Sequence, residues 1–175
     1  MPSVGIILGS DSDLPKVKEC FEIFDDFGVD YEVLVSSAHR SPELTTAWVK
    51  GAREKGMKAI IAVAGGAAHL PGVVASHTTL PVIGVPVETK IAGGLDSILS
   101  ILQMPAGIPV AAMAAGKSGG ANAALFALSI MSVSDSAIAE RIDSYRKKNE
   151  QKISDKNRAI REAGLMNYIK KLEEK

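Results

Sequence analysis

Short apolar runs alternate with stretches of helical spacing along most of this chain. Five runs have the length and the Val, Ile and Ala content of buried parallel strands, at residues 4–8, 31–35, 59–63, 82–85 and 110–114. Between and after them, apolar positions recur with helical spacing at residues 14–27, 42–55, 71–76, 94–102 and 122–131. This alternation predicts an α/β fold, a doubly wound parallel sheet with right-handed crossovers.

Glycine, serine and proline mark the ends of the first two predicted helices. Gly28 is placed to end the first helix, and Gly56 to end the second. Ser41 precedes Pro42, which predicts a serine N-cap followed by proline at the first helical position.

Charge is balanced over the whole chain but uneven along it. The 175 residues carry 20 Lys plus Arg and 20 Asp plus Glu, so no net charge points to nucleic acid or to a membrane surface. Between residues 59 and 131 only Glu88, Lys90, Asp96 and Lys117 are charged. A small monomer covers its surface with charge, so this half is expected to face other protein, and we predict a homo-oligomer.

The pattern changes after residue 134. Residues 136–163 predict one long helix with Ile138, Ile142, Tyr145 and Ile153 on one stripe and charged residues on the other faces. We therefore divide the chain into an α/β domain, 1–134, and a C-terminal helical extension, 135–175. The stripe is expected to lie on its own domain or on a neighbouring subunit. The sparsely charged stretch 59–131, which is expected to face other protein, favours the neighbour.

The sequence lacks the signs of a membrane span, a disulfide framework or a metal site. Glycines and prolines break the uncharged stretch 59–87, and two histidines lie within it. The opening residues Met1-Pro2-Ser3 carry no basic-then-apolar leader, which predicts a cytoplasmic protein. The single cysteine, Cys20, is expected to be a buried thiol. Three histidines outside any Cys/His/Asp cluster make a catalytic metal unexpected.

Polar loops follow the first two predicted strands. Residues 9–13, Gly-Ser-Asp-Ser-Asp, offer hydroxyls and helix-start amides to a phosphate, and Asp13 can accept a bond from a ribose hydroxyl. Simple helix capping by Ser12 or Asp13 is an equally good interpretation. In the second loop, His39 can move protons near neutral pH and Arg40 can bind phosphate or carboxylate. The alternative is a solvated loop histidine.

A run of small residues follows the third strand. Residues 64–72, Ala-Gly-Gly-Ala-Ala-His-Leu-Pro-Gly, let the backbone approach a flat ligand closely. A structural turn seldom needs so many small residues and a histidine, so we predict a ligand site here. Because parallel strands end at one edge of a sheet, all three loops are expected to share one mouth.

Taken in order, these loops resemble the PurE family of de novo purine synthesis. The matching segments are GSDSD, SSAHRSP, AGGAAHLPG, Leu95-Asp96-Ser97, QMPAGIPV and Ala121-Asn122-Ala123-Ala124, all between Ser3 and Ile130. AGGAAHLPG resembles the class I branch, the N5-carboxyaminoimidazole ribonucleotide mutases, because the class II branch has a different sequence there. The resemblance implies a flavodoxin-like three-layer α-β-α sandwich with its catalytic domain in 1–134. It also implies an octamer with active sites between subunits.

The resemblance implies a role for specific residues of the three loops. His39 is implied as the catalytic residue. Substrate binding is implied for Ser10, Ser12, Asp13, Ser37, Arg40, Gly65, Ala67, His69 and Leu70. The implied substrate is a small ribonucleotide with a 5′-phosphate, without cofactor or metal. The alternatives are a 5-aminoimidazole ribonucleotide carboxylase that uses free CO2, and a non-catalytic flavodoxin-like nucleotide-binding module.

Overall fold

Five short strands form one parallel sheet. The computed structural model describes residues 1–174, and its strands are β1 Val4–Leu8, β2 Tyr31–Val35, β3 Ala59–Ala64, β4 Val82–Pro86 and β5 Ala111–Ala112. They pair in the order β2-β1-β3-β4-β5, each pairing being parallel. This order is the flavodoxin-like arrangement. The predicted fold class is therefore confirmed.

Helices cover both faces of the sheet. One face carries α1 Lys18–Asp26 and α5 Gly116–Ser132, and the other carries α2 Pro42–Gly51, α3 Leu70–Ser76 and α4 Leu95–Leu102. Successive strand residues point to opposite faces, so Ile6 packs in the core with Phe24 while Ile7 packs in the core with Trp48. Both sides of β1, β3 and β4 are thus buried, which explains their continuous apolar runs.

The first predicted helix begins differently from expectation. A 3-10 helix spans Asp11–Val17, and α1 begins only at Lys18. Pro15 lies inside the 3-10 segment and has no backbone N–H to donate, which disfavours a continuous α-helix there. The predicted cap is also wrong, because Ser10 rather than Ser12 or Asp13 caps the segment by accepting from the backbone N–H of Ser12. Gly28 follows α1 with φ +54°, as predicted for a helix stop.

Three further elements differ in length from the prediction. The helix α2 ends at Gly51 rather than near residue 55, so Gly56 does not end it directly. The edge strand β5 covers only Ala111–Ala112 of the predicted 110–114. In contrast, α5 begins at Gly116 rather than at residue 122. Two glycines within it lie against neighbouring backbone: a Cβ on Gly119 would collide with the Ala114 carbonyl, and one on Gly120 would press on Val17. Tertiary packing, not helix propensity, therefore selects glycine here.

Ser41 occupies the predicted N-cap position of α2, but its hydroxyl bonds to the preceding loop and not to the first turn of the helix. It accepts from the Ser37 backbone N–H at 3.1 Å and lies 2.9 Å from the Ser36 hydroxyl. The prediction of a capping side chain is therefore wrong at this residue, because nearer partners in the preceding loop take up the hydroxyl. Pro42 is the first residue of the helix, as expected.

The C-terminal segment folds into two helices, α6 Ser136–Ala163 and α7 Leu165–Glu173. The bounds of α6 agree with the prediction. Gly164, at φ +75°, separates α7, which the sequence pattern did not reveal. Ile138 and Ile142 are buried in the domain's own core, and Tyr145 packs on Phe27. A neighbouring subunit is therefore not needed to cover the first half of the stripe, whereas Ile153 is 56% exposed.

Cys20 lies within α1 and is buried, as expected. Burial disfavours the thiolate and raises the pKa of this thiol to about 12. Among residues 1–174, no helix has the length and apolar content to cross a membrane.

Candidate active site

A cleft of about 470 Å³ opens at the carboxyl ends of β1 to β4. Its walls come from four loops that follow these strands. The lining residues are Gly9, Ser10, Asp13, Lys16, Ser37, Ala38, His39, Arg40, Ala64, Gly65, Ala68, His69, Leu70, Val87, Glu88 and Thr89. The three loops singled out in the sequence do meet in one mouth, as the parallel topology requires.

The structure brings most of the predicted site residues together. Of those ten residues, all within the described part of the chain, eight line the cleft: Ser10, Asp13, Ser37, His39, Arg40, Gly65, His69 and Leu70. Within the described residues, 1–174, the other two, Ser12 and Ala67, do not line the cleft. The Ser12 hydroxyl contacts that of Ser10 at 2.9 Å, whereas Ala67 is exposed on the rim of the third loop.

In the first loop, the hydroxyl of Ser10 faces three polar groups. It lies 3.2 Å from an Asp11 carboxylate oxygen and 2.9 Å from the Ser12 hydroxyl, and it accepts from the Ser12 backbone. Asp13 is nearly buried and accepts a 2.9 Å hydrogen bond from the Lys16 ammonium. The loop therefore presents hydroxyls next to a neutralised carboxylate.

The second loop rests on a small network of buried hydroxyls. Ser36 is buried, and its hydroxyl lies 2.8 Å from that of Thr45 and 2.9 Å from that of Ser41. These contacts join the end of β2 to the first turn of α2. The Ser37 hydroxyl then accepts from the Arg40 backbone N–H at 3.3 Å. The loop is thereby fixed at both ends, which orients the side chains between them.

His39 and Arg40 each reach a different neighbouring loop. The Nε2 atom of His39 lies 2.8 Å from Nδ1 of His69 in the third loop. The Arg40 guanidinium donates to the Gly9 carbonyl of the first loop at 3.5 Å. The second loop thus places in one cleft an imidazole that contacts the third loop and a guanidinium that contacts the first loop.

The third loop approaches its neighbours too closely for larger side chains. A Cβ on Gly65 would lie 2.7 Å from a Val87 methyl group. The next residue, Gly66, has φ +69° and donates its backbone N–H to the Ser97 hydroxyl at 2.9 Å. Ala68 also has positive φ, at 41°, a costly conformation for a residue with a side chain. The packing and backbone of this turn therefore require small residues here.

Four lining residues were not predicted as site residues from the sequence: Lys16, Val87, Glu88 and Thr89. The last three follow β4, so the rule that placed the other loops at strand ends would have found them. Lys16 gave no such signal, because an α-helix starting at residue 14 does not predict its contact with Asp13.

A sequence model of the AIR carboxylase family matches residues 3–152, most of the chain. The chain belongs to this family. The resemblance to the PurE family that the loops indicated is thereby confirmed.

Several members of the AIR carboxylase family resemble the chain along nearly its full length. A relative from Pyrococcus horikoshii is 51% identical over 96% of this chain and 94% of its own, and one from Thermotoga maritima is 47% identical over 99% of this chain and 100% of its own. One from Bacillus subtilis is 51% identical over 87% and 94%. All three are named N5-carboxyaminoimidazole ribonucleotide mutase.

A solved structure of the family shares the fold. The crystal structure of PurE from Treponema denticola superposes with a TM-score of 0.82 at 30% identity, covering 91% of this chain and 99% of that one. The AIR carboxylase family match ends at residue 152, so it includes the first half of α6, with the buried Ile138 and Ile142, and leaves out most of the second half.

Proposed function

We propose that this protein is an N5-carboxyaminoimidazole ribonucleotide mutase, an isomerase of purine biosynthesis. It moves a carboxylate from the exocyclic nitrogen of the ribonucleotide to C4 of the imidazole ring. The observation that carries the proposal is 51% identity, over 96% of the chain, to a protein named as such a mutase. The cleft supports it by placing His39, beside His69, in the same cavity as Arg40.

The 5′-phosphate binds where the first two loops meet. Arg40 already bridges these loops through the Gly9 carbonyl, and a guanidinium pairs well with phosphate oxygens. The hydroxyls of Ser10 and Ser37 line the same cleft and donate to the phosphate, with Ser12 behind Ser10. Asp13 then accepts a hydrogen bond from a ribose hydroxyl.

The imidazole ring of the substrate lies against the third loop. Gly65 and Leu70 line the cleft there, Ala67 lies on the rim, and their backbone groups bond to the ring and its carboxylate. The buried Leu70 side chain gives this end a dry wall. A dry, close-fitting end keeps CO2 beside the ring after it leaves the nitrogen.

His39 acts first as an acid and then as a base. As the imidazolium, it donates a proton to the carbamate nitrogen, and the N–C bond breaks to release CO2. The C4 carbon of the electron-rich ring attacks this CO2 to form the new C–C bond. Neutral His39 then removes the C4 proton, which restores the aromatic ring. The proton that His39 gives is thus returned, and the overall isomerisation needs neither ATP nor a redox cofactor.

A homo-oligomer, with the octamer as its specific form, is part of this proposal. Large apolar side chains are exposed within the sparsely charged stretch 59–131, at Ile91, Leu95, Leu99 and Leu102. Further ones lie on α7, at Leu165, Met166, Ile169 and Leu172. Such patches fit contacts between copies of the chain. Light scattering on the purified protein measures the mass of the assembly directly. The cytoplasmic location expected from the sequence stays a prediction.

A comparison of two substrates tests the function. Purified protein is given the N5-carboxylated ribonucleotide without ATP, and separately 5-aminoimidazole ribonucleotide with bicarbonate. A mutase turns over the first far faster than the second. Faster turnover of the second identifies a carboxylase that uses free CO2. Binding of either ribonucleotide without turnover identifies a nucleotide-binding module and overturns the proposal.

A further inference from the structure

Lys16 lies in the cleft and forms an ion pair with Asp13, the carboxylate that we propose binds the ribose. Its ammonium donates to Oδ1 of Asp13 at 2.9 Å, with the lysine side chain 40% exposed and the aspartate side chain 9% exposed. Both side chains line the cleft. The Lys16 ammonium therefore contacts the Asp13 carboxylate within the cleft itself.

The local backbone creates this contact. In a 3-10 helix there are three residues per turn, so residues three apart lie directly above one another. Asp13 and Lys16 are three apart within the 3-10 helix Asp11–Val17. The lysine side chain therefore stands over that of the aspartate.

The charges of the cleft give the contact a purpose. Among the described residues, the cleft is lined by two carboxylates, Asp13 and Glu88, and by two basic side chains besides the histidines, Lys16 and Arg40. A ribonucleotide with a phosphate and a carboxylate brings further negative charge. Without Lys16, Arg40 alone would face two carboxylates and a polyanion, and like charges in one cleft repel.

We propose that Lys16 is a positioning residue for the ribonucleotide. It neutralises the charge of Asp13 and fixes that carboxylate, so that Asp13 accepts a ribose hydroxyl without repelling the phosphate. This inference rests on the proposed function for its substrate class. The role belongs to binding, and it leaves the proton transfers of His39 untouched.

Replacement of the lysine by an uncharged side chain of similar length tests this role. In Lys16→Met we expect the KM for the N5-carboxylated ribonucleotide to rise about tenfold, the effect of losing one charge-assisted contact, with kcat unchanged. Lys16→Arg restores most of the loss. Lys18→Met is the matched control, because Lys18 pairs with Glu22 at 2.7 Å and lies outside the lining of the cleft in residues 1–174. An unchanged KM, or a fall in kcat alone, would overturn the inference.

A second background separates positioning from a direct contact. If Lys16 acts through Asp13, then Lys16→Met has no further effect on KM in an Asp13→Asn protein. Full additivity of the two changes contradicts this. Calorimetry with 5-aminoimidazole ribonucleotide measures affinity without turnover. A failure of the mutase assay therefore refutes the proposed function, whereas equal affinity of the wild type and Lys16→Met refutes the role of Lys16.

Discussion

His39 and His69 meet edge to face at the mouth of the cleft, although 30 positions separate them in the chain. Nε2 of His39 lies 2.8 Å from Nδ1 of His69, the ring centroids are 4.9 Å apart and the ring planes are inclined by 73°. One nitrogen donates and the other accepts, so the bond fixes the direction in which the His39 ring points. The remaining nitrogen of His69 stays available for a ligand or for solvent.

The assigned acid and base predicts a selective loss on changing His39. His39→Asn removes the group that carries the proton but keeps a polar side chain of similar shape. We expect kcat to fall by about a thousandfold, within the range of general acid–base catalysis. Affinity for 5-aminoimidazole ribonucleotide, measured by calorimetry, stays close to that of the wild type. His77→Asn is the control, since His77 follows α3 outside the lining of the cleft in residues 1–174. Retained turnover in His39→Asn contradicts the mechanism.

The contact between the rings predicts a weaker and dependent effect at His69. In His69→Ala the His39 ring loses its partner, and we expect kcat to fall by about ten- to a hundredfold through misplacement of the proton carrier. Because His69 acts through His39, the double variant is no slower than His39→Asn alone. Steady-state kinetics of the three proteins check this, and multiplication of the two single losses would show that His69 acts independently.

Arg40 is predicted to bind rather than to react. Arg40→Met removes the cation that bridges the first two loops, so KM for the ribonucleotide rises by about tenfold or more while kcat changes less. Raising the salt concentration weakens substrate binding in the wild type more than in the variant. Salt screens the attraction between Arg40 and the phosphate, which the variant no longer has. Arg53→Met serves as the control, since Arg53 donates to the Thr79 hydroxyl away from this cleft. An equal salt response in the two proteins would show that Arg40 does not meet the phosphate.

The sequence was enough to predict the sheet and the position of its mouth. Apolar runs identify parallel strands because both faces of such a sheet are buried, and β1 and β2 match the predicted bounds. The loops then follow by topology, because parallel strands place their carboxyl ends together. Most of the predicted residues do line one cleft for this reason.

Contacts within the mouth could not be predicted in this way. The bond between His39 and His69 depends on the rotation of two rings from different loops, which no local pattern encodes. Lys16 and Asp13 share a 3-10 segment that begins at Asp11, whereas the apolar spacing predicts an α-helix that begins after Asp13, at residue 14. The 3-10 segment thus adds Lys16 to the residues that line the cleft.

Gly5 and Gly51 predict opposite effects of the same substitution on stability. A Cβ on Gly5 would lie 2.6 Å from a Trp48 ring carbon and 2.7 Å from the Met57 sulfur, so Gly5→Ala overpacks the core and costs about 1–3 kcal/mol. Nothing lies within 4 Å of a Cβ on Gly51, at the end of α2. Gly51→Ala therefore stabilises the protein by about 0.5–1 kcal/mol through helix propensity and chain entropy. Urea unfolding of both variants measures the difference, and a stabilised Gly5→Ala would contradict the packing.

Trp48 offers a direct optical probe of one shifted carboxyl group. Its indole N–H donates to Glu32, which also accepts from the Lys55 ammonium at 2.7 Å. These bonds hold the pKa of Glu32 below its ordinary value, the lysine contact being the largest cause. The ion pair therefore contributes stability above the ordinary glutamate pKa, and this contribution is lost as pH falls through the lower pKa of the folded protein.

The chain contains a single tryptophan, so its fluorescence reports this site alone. On acidification we expect the emission to change with a midpoint below the ordinary pKa of a glutamate, because the pKa of Glu32 is lowered in the folded protein. Glu32→Gln keeps an acceptor for the indole but cannot titrate, so its emission stays flat over the same range. The stability advantage of the wild type over Glu32→Gln, measured by urea unfolding, shrinks over the same interval because the carboxylate is then protonated. A midpoint at or above the ordinary value, or the same transition in Glu32→Gln, would show that another group is responsible.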